Sequence, residues 1–210
     1  MAMKPSSPES RRQLRIGFIG DSFVNGIGDP HCLGWVGRLC AHAWQQGVDV
    51  TCYNLGIRRD TSAAIARRWQ PEIAVRLPPE YAGRLVFSFG VNDTTIEAGT
   101  LRVPFEQSLA HATAMLSTAQ QLWPTIMIGP PPVPDDDHNE RIAVLSQALA
   151  QCCERLAVPY LDTFNPLRHS DIWLAEASQN DGFHPAAEGY AMLATIIQQW
   201  PGWLAWLRTV

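Results

Sequence analysis

The sequence predicts an α/β fold: a parallel sheet of five strands covered on both faces by helices. Three observations lead there. Five short β-like runs recur along the chain, each closed by Gly, Asn, Asp or Pro: Leu14 to Gly20, Val48 to Gly56, Arg84 to Gly90, Thr125 to Pro130 and Val158 to Asp162. Stretches with apolar residues at helical spacing lie between them. No internal repeat, long linker or low-complexity block breaks the alternation.

Taken in order, the first run, "LRIGFIG", breaks abruptly into Asp21-Ser22 and a Gly-rich loop. After the second run, Asp60 or Thr61 is placed to cap a helix running to about Leu77. The third run exits into "GVNDT". Between Phe105 and Trp123, the residues Phe105, Leu109, Ala112, Leu116, Ala119 and Trp123 recur at spacings of three and four and build one apolar stripe. Ile142, Leu145, Leu149, Cys152 and Leu156 repeat the device after the fourth run, with Asp135 to Asn139 supplying acidic and capping residues ahead of that helix. After the fifth run, Pro185 stands where a first-turn proline belongs for a last long helix through Trp200.

A chain of 210 residues that is 46% hydrophobic supports one domain with a substantial core, expected over residues 14–210 behind a disordered polar tail, 1–13, rich in Pro and Ser. The net charge is -4, with Lys and Arg scattered, which gives no footprint for nucleic acid or an anionic membrane. The five cysteines lack CxxC spacing, so reduced, mostly buried thiols are expected rather than disulfides or a zinc site. With no signal-peptide h-region and no run long enough to span a membrane, a cytoplasmic setting is expected. The cluster "DDDHNE" at Asp135 to Glu140 reads as a solvated loop leading into a helix rather than a cation site, and Trp200, Trp203 and Trp206 read as sealing the core.

In parallel sheets, ligands collect outside the carboxyl ends of the strands, where the strand order reverses. That edge receives Asp21-Ser22 from the first strand, Asn54 to Gly56 from the second, Asn92 and Asp93 from the third, and "NDGFHP", with Asp181 and His184, just before the last helix. These are the parts acyl transfer needs. A serine hydroxyl attacks carbon only if an imidazole takes its proton, and a carboxylate fixes the imidazole's tautomer. Ser22, His184 and Asp181 can fill those roles, with Asp162 a rival carboxylate at the end of the fifth strand. Donors for a tetrahedral oxyanion are available in the amides of Ser22 and Gly56 and the side-chain nitrogen of Asn92. Asp21 and Asp93 are expected to hydrogen-bond their own loops.

The blocks "GDS" at Gly20 to Ser22, the isolated Gly56, "GVND" at Gly90 to Asp93, and "DGFHP" with Asp181 and His184 resemble the SGNH hydrolases, also called GDSL esterases and lipases, in family order across nearly the whole chain. The resemblance implies a flavodoxin-like three-layer α/β/α sandwich and hydrolysis of esters or thioesters without a metal or cofactor. It implies a triad of Ser22, Asp181 and His184 and an oxyanion hole of Ser22, Gly56 and Asn92. Phe23 replaces the leucine of the family name, and Arg58 and Arg59 stand where small or polar residues are expected, which bears on the substrate. With His31 and Trp173, these arginines are candidate substrate-binding residues. The partner is then a small-molecule ester of a short or medium acyl group; the oligomeric state is not readable.

Two competing functions fare less well on the residues alone. A nucleotide-binding reading of "GDSFVNGIG" lacks both the GK[ST] of a phosphate loop and a third correctly spaced glycine, since His31 stands there. An α/β-hydrolase requires a GxSxG elbow, which the chain does not contain.

Overall fold

The computed structural model describes residues 11–208. Its elements are β1 (Arg12–Gly20), α1 (Ser22–Asn25), α2 (Gly34–Gln45), β2 (Val48–Gly56), α3 (Ser62–Ala74), β3 (Gly83–Ser88), β4 (Ile96–Glu97), β5 (Thr100–Leu101), α4 (Phe105–Leu122), β6 (Thr125–Ile128), α5 (Asp136–Arg155), β7 (Tyr160–Leu161), α6 (Phe164–Leu167), α7 (Asp171–Gln179), α8 (Ala187–Gln199) and α9 (Pro201–Arg208). The five main strands form one parallel sheet in the order β2-β1-β3-β6-β7, and β4 and β5 make a separate small hairpin. The order reverses between β1 and β3, so the loops leaving those two strands diverge and open a crevice at the sheet's carboxyl edge.

Period-two alternation sorts the side chains into two cores. Ile16 and Phe18 of β1, Val86 of β3 and Ile126 and Ile128 of β6 face one way, against Trp35 and Leu39 of α2, Tyr190 and Leu193 of α8 and Trp203 of α9. Ile19, Leu85, Phe87 and Met127 face the other way, against Ile65, Trp69 and Ile73 of α3, Met115 and Leu116 of α4 and Leu149 of α5. This is a three-layer α/β/α sandwich, as the alternation of runs predicts.

Several boundaries differ from expectation. β1 begins at Arg12, so Arg12 and Gln13 pair with Val48 and Asp49 rather than belonging to a tail; residues 1–10 of that tail lie outside the described residues. Arg12 also donates to the Leu207 carbonyl at 2.9 Å, which ties the strand's start to α9. Thr61 is the cap of α3, its hydroxyl accepting from the Ala64 N–H at 3.3 Å. Pro185 lies ahead of α8 rather than in its first turn, because Ala186 is the capping residue. Asp135 caps α5 by accepting from the His138 N–H at 2.8 Å, and no cluster fit to hold a cation occurs among the described residues. All five cysteines are free; Cys152 and Cys153 are buried as expected, whereas Cys32 and Cys52 are exposed and Cys40 is half-buried. Trp203 and Trp206 are core residues, and Trp200 is half-buried against the same core. No helix among the described residues is long and apolar enough to cross a membrane.

Candidate active site

The chain leaves β1 through Asp21, whose extended backbone and carboxylate, accepting from the Phe23 N–H at 3.0 Å, start the single turn of α1. Ser22 is the first residue of that turn, so its own N–H has no intrahelical acceptor. The residue is buried, at 4% exposure.

The loop ahead of α8 meets it there. His184 Nε2 lies 2.7 Å from Ser22 Oγ, and His184 Nδ1 lies 2.7 Å from Asp181 Oδ2. The three-residue separation allows a second function for Asp181, because its Oδ1 accepts from the main-chain N–H groups of Phe183 at 3.0 Å and His184 at 2.8 Å. The carboxylate thus holds both the loop and the ring. Asn180 adds a hydrogen bond to the His184 carbonyl at 3.0 Å, and the Phe23 ring packs on the imidazole at 4.8 Å.

Burial pushes the His184 pKa below its ordinary value, which outweighs the opposing pull of the Asp181 hydrogen bond and charge; Arg58 adds to the lowering. For Asp181, burial works to raise the pKa, but the hydrogen bonds and charge supplied by His184, with the Phe183 N–H, hold it below the ordinary carboxylate value. Near neutrality the pair is therefore a neutral imidazole beside a carboxylate, with one ring nitrogen turned to the serine.

Glycines between Ser22 and α2 bring this loop into place. A Cβ on Gly28, which has φ +93°, would lie 2.3 Å from Asn180 Nδ2 and 2.6 Å from the Pro185 carbonyl. The Gly-rich loop is packed against the histidine's own loop, which explains its composition without a bound phosphate.

Asn92 comes from the β3 exit, and its amide is oriented from two sides. Nδ2 donates to Asp21 Oδ2 at 3.3 Å, while Oδ1 accepts from Arg102 Nη1 at 3.0 Å. Asp93 does not bond within its own loop: its Oδ1 accepts from the Ser62 N–H at 2.7 Å and fastens the β3 exit to α3. Arg102 further donates to the Arg59 carbonyl at 2.9 Å. It is the residue sequence reasoning missed. A signal was present, since Leu101-Arg102-Val103 alternates, and Leu101 and Val103 line a neighbouring apolar cavity of about 310 Å³ while Arg102 lines the cleft with Ser22.

Three expected residues stand elsewhere. Gly56 does not line the cleft, and its N–H donates to Asn54 Oδ1 at 3.1 Å. Glycine is required there because a Cβ would sit 2.2 Å from the Asn25 nitrogen and 2.6 Å from the Asp21 carbonyl, in the turn that carries Ser22. The β2 exit instead presents Arg59, a non-glycine residue with φ +68°, whose N–H makes no hydrogen bond among the described residues. Trp173 is fully buried, its Nε1 donating to the Pro132 carbonyl at 2.9 Å, and so is a core residue rather than a cleft wall. His31 is exposed outside the cleft, its N–H held by Asp29. The rival carboxylate, Asp162, accepts from the N–H groups of Phe164 and Asn165 and starts α6.

Ser22, Phe23, Asn92, Asp181 and His184, with Arg58, Arg59, Arg102 and Phe183, surround a cavity of about 200 Å³. The arrangement can remove a proton from a hydroxyl and meet negative charge with nearby donors.

Asp21 behind it carries a measurable signature. Burial, with the neighbouring Asp93, pushes its carboxyl up from 3.8 to about 7, against hydrogen bonds from the Phe23 N–H and Asn92. Between those values the unfolded chain releases a proton that the folded chain keeps, so this group's contribution to stability falls as pH rises from about 4 to about 7. Asp21→Asn is expected to remove that slope. Urea titrations across pH 4 to 8 check it: the stability difference between variant and wild type is expected to grow in the variant's favour by on the order of 4 kcal/mol.

The comparisons with known proteins follow the same geometry. The model of the GDSL-like lipase/acylhydrolase family matches residues 18–192. No curated protein matches the sequence. Among solved structures, the chain is similar to a lipase/acylhydrolase from Enterococcus faecalis, at 19% identity and TM-score 0.70, over 87% of this chain and 92% of that one. It is similar to Axe2, an acetylxylan esterase from Geobacillus stearothermophilus, at 17% identity and TM-score 0.73, over 93% and 94%. It is also similar to the psychrotrophic esterase EstA from Pseudoalteromonas sp., at 20% identity and TM-score 0.69, over 93% and 99%. At these identities the likeness is one of fold.

Proposed function

The chain belongs to the GDSL-like lipase/acylhydrolase family and is a serine ester hydrolase, and from that premise we propose that it cleaves carboxylic esters of small or medium acyl groups through an acyl-enzyme on Ser22. The observation that carries this reading is the unbroken hydrogen-bonded line from Ser22 Oγ through His184 to Asp181, at 2.7 Å on both sides of the ring.

His184 Nε2 takes the hydroxyl proton as Ser22 Oγ bonds to the ester carbon, and Asp181 stabilises the imidazolium that forms. The ester's carbonyl oxygen becomes an oxyanion, for which the available donors are the N–H groups of Ser22 and Arg59 and Asn92 Nδ2. Collapse expels the alcohol, protonated by His184. Water then attacks the acyl-serine with His184 again as base, and the acid leaves. A cavity of about 200 Å³ suits a short acyl chain.

Fluorophosphonate labelling with peptide mapping tests the assignment, alongside a panel of p-nitrophenyl esters and thioesters. The adduct is expected on Ser22; modification of another residue would overturn the reading. The pH profile supplies an independent check. Because only neutral His184 accepts the proton and its pKa is lowered, the acid limb of kcat/KM is expected with its midpoint below 6.5. Arg58→Ala removes a positive charge that favours the neutral ring, so its acid limb is expected at higher pH than that of the wild type.

A further inference from the structure

We propose that the esters turned over best by this cleft carry a second, anionic group, a carboxylate, phosphate or sulfate, which Arg58 and Arg59 bind at the mouth. This rests on the esterase reading and adds the class of substrate to it.

The charge distribution points there first. The chain as a whole has a net charge of -4, yet Arg58, Arg59 and Arg102 all line the cleft, where Asp181 is the one carboxylate. Glu97, on β4, reaches both Arg59 at 3.3 Å and Arg102 at 3.4 Å. Asp21 is buried behind Ser22 and bonds to Asn92 rather than lining the cavity. Three guanidinium groups thus face two carboxylates, which leaves a cationic surplus beside the nucleophile.

The three arginines differ in how firmly they are held. Arg102 is 17% exposed at its side chain and bonds Asn92 and the Arg59 carbonyl, so it is a positioning residue. Arg58 and Arg59 are 59% and 70% exposed, and among the described residues each has a single long ion pair, to Asp181 at 3.4 Å and to Glu97 at 3.3 Å. Pairs of this length and exposure contribute little and exchange readily for a better partner. A guanidinium fork offers such a partner two parallel N–H donors.

Position and backbone agree with this. Ser22 lies at the cavity floor and the two exposed guanidiniums at its opening, so a substrate with its scissile carbonyl at Ser22 extends past them. Arg59 sits at φ +68°, where glycine is the least costly residue. Its N–H could be delivered by glycine with less strain, which leaves the side chain as the reason for an arginine there.

The test uses pairs of substrates matched in shape. p-Acetoxybenzoate against p-acetoxybenzamide places the charge on the alcohol side; the p-nitrophenyl monoester of adipic acid against p-nitrophenyl hexanoate places it on the acyl side. For at least one pair, kcat/KM is expected to favour the charged member by about tenfold or more at low ionic strength, with the advantage shrinking as salt is added. Arg59→Gly suits the left-handed backbone and removes the side chain with its guanidinium, and is expected to cut that ratio about tenfold, whereas Arg59→Lys, which keeps a positive charge, retains most of it. The neutral member of each pair is the internal reference. A wild-type ratio near one in both pairs, or a ratio unchanged in both Arg59→Gly and Arg58→Ala, overturns the proposal and leaves the esterase reading standing. Failure to hydrolyse any of these esters, with no adduct on Ser22, overturns both.

Discussion

Replacing Ser22 by alanine is expected to lower kcat/KM on p-nitrophenyl esters by about four to six orders of magnitude while the protein stays folded. The hydroxyl makes its hydrogen bond to His184 Nε2 at 2.7 Å, and the side chain is otherwise packed at the floor of the cleft. Alanine keeps the Cβ and the main-chain N–H and removes only the atom that attacks. The structural cost is one hydrogen bond, about 1 kcal/mol, a small part of a typical domain's stability. Kinetics, fluorophosphonate labelling and thermal melting, measured together, separate the outcomes. Retained turnover would remove Ser22 from the chemistry, and lost turnover with lost folding would make it a structural residue.

Gly56→Ala is expected to act through the opposite route, destabilising the protein by about 3 kcal/mol or more. The added Cβ would meet backbone on all sides: the Asn25 nitrogen at 2.2 Å, the Asp21 carbonyl at 2.6 Å and the Asn25 Cα at 2.8 Å. These atoms cannot rotate aside as a side-chain end can. They belong to the turn that presents Ser22, so relief of the clash displaces the nucleophile and turnover falls along with the unfolding free energy. Denaturant unfolding of the variant checks this. A Gly56→Ala protein with wild-type stability and a reduced kcat alone would return Gly56 to the oxyanion hole.

This glycine also shows where the sequence is informative and where it is not. The alternation of Ile16, Phe18 and Ile19 in β1 follows from period-two packing and is legible without coordinates, as is the stripe of α4. The spacing of Asp181 and His184 is legible too, because one short loop presents both. In the β2 exit, residue type points to Gly56 as the permissive position. The fold places that glycine under the α1 turn and gives the left-handed backbone in the cleft to Arg59, a choice of dihedral that no residue letter marks. Trp173 misleads in the same way: an aromatic residue near a motif has an indole N–H that suits a cleft, yet the Pro132 carbonyl satisfies it inside the core. The hairpin β4–β5, with two residues in each strand, is too short to leave a periodic trace, although its Glu97 lies within ion-pair distance of two of the cleft's arginines.

The hydrogen bond between Ser22 and His184 joins residues 162 positions apart. During synthesis the alcohol leaves the ribosome long before the imidazole that would activate it. On the proposed assignment, a polypeptide that stops short of His184 carries a serine with no base to take its proton, so the nucleophile is activated only once the loop ahead of α8 has docked on the α1 turn.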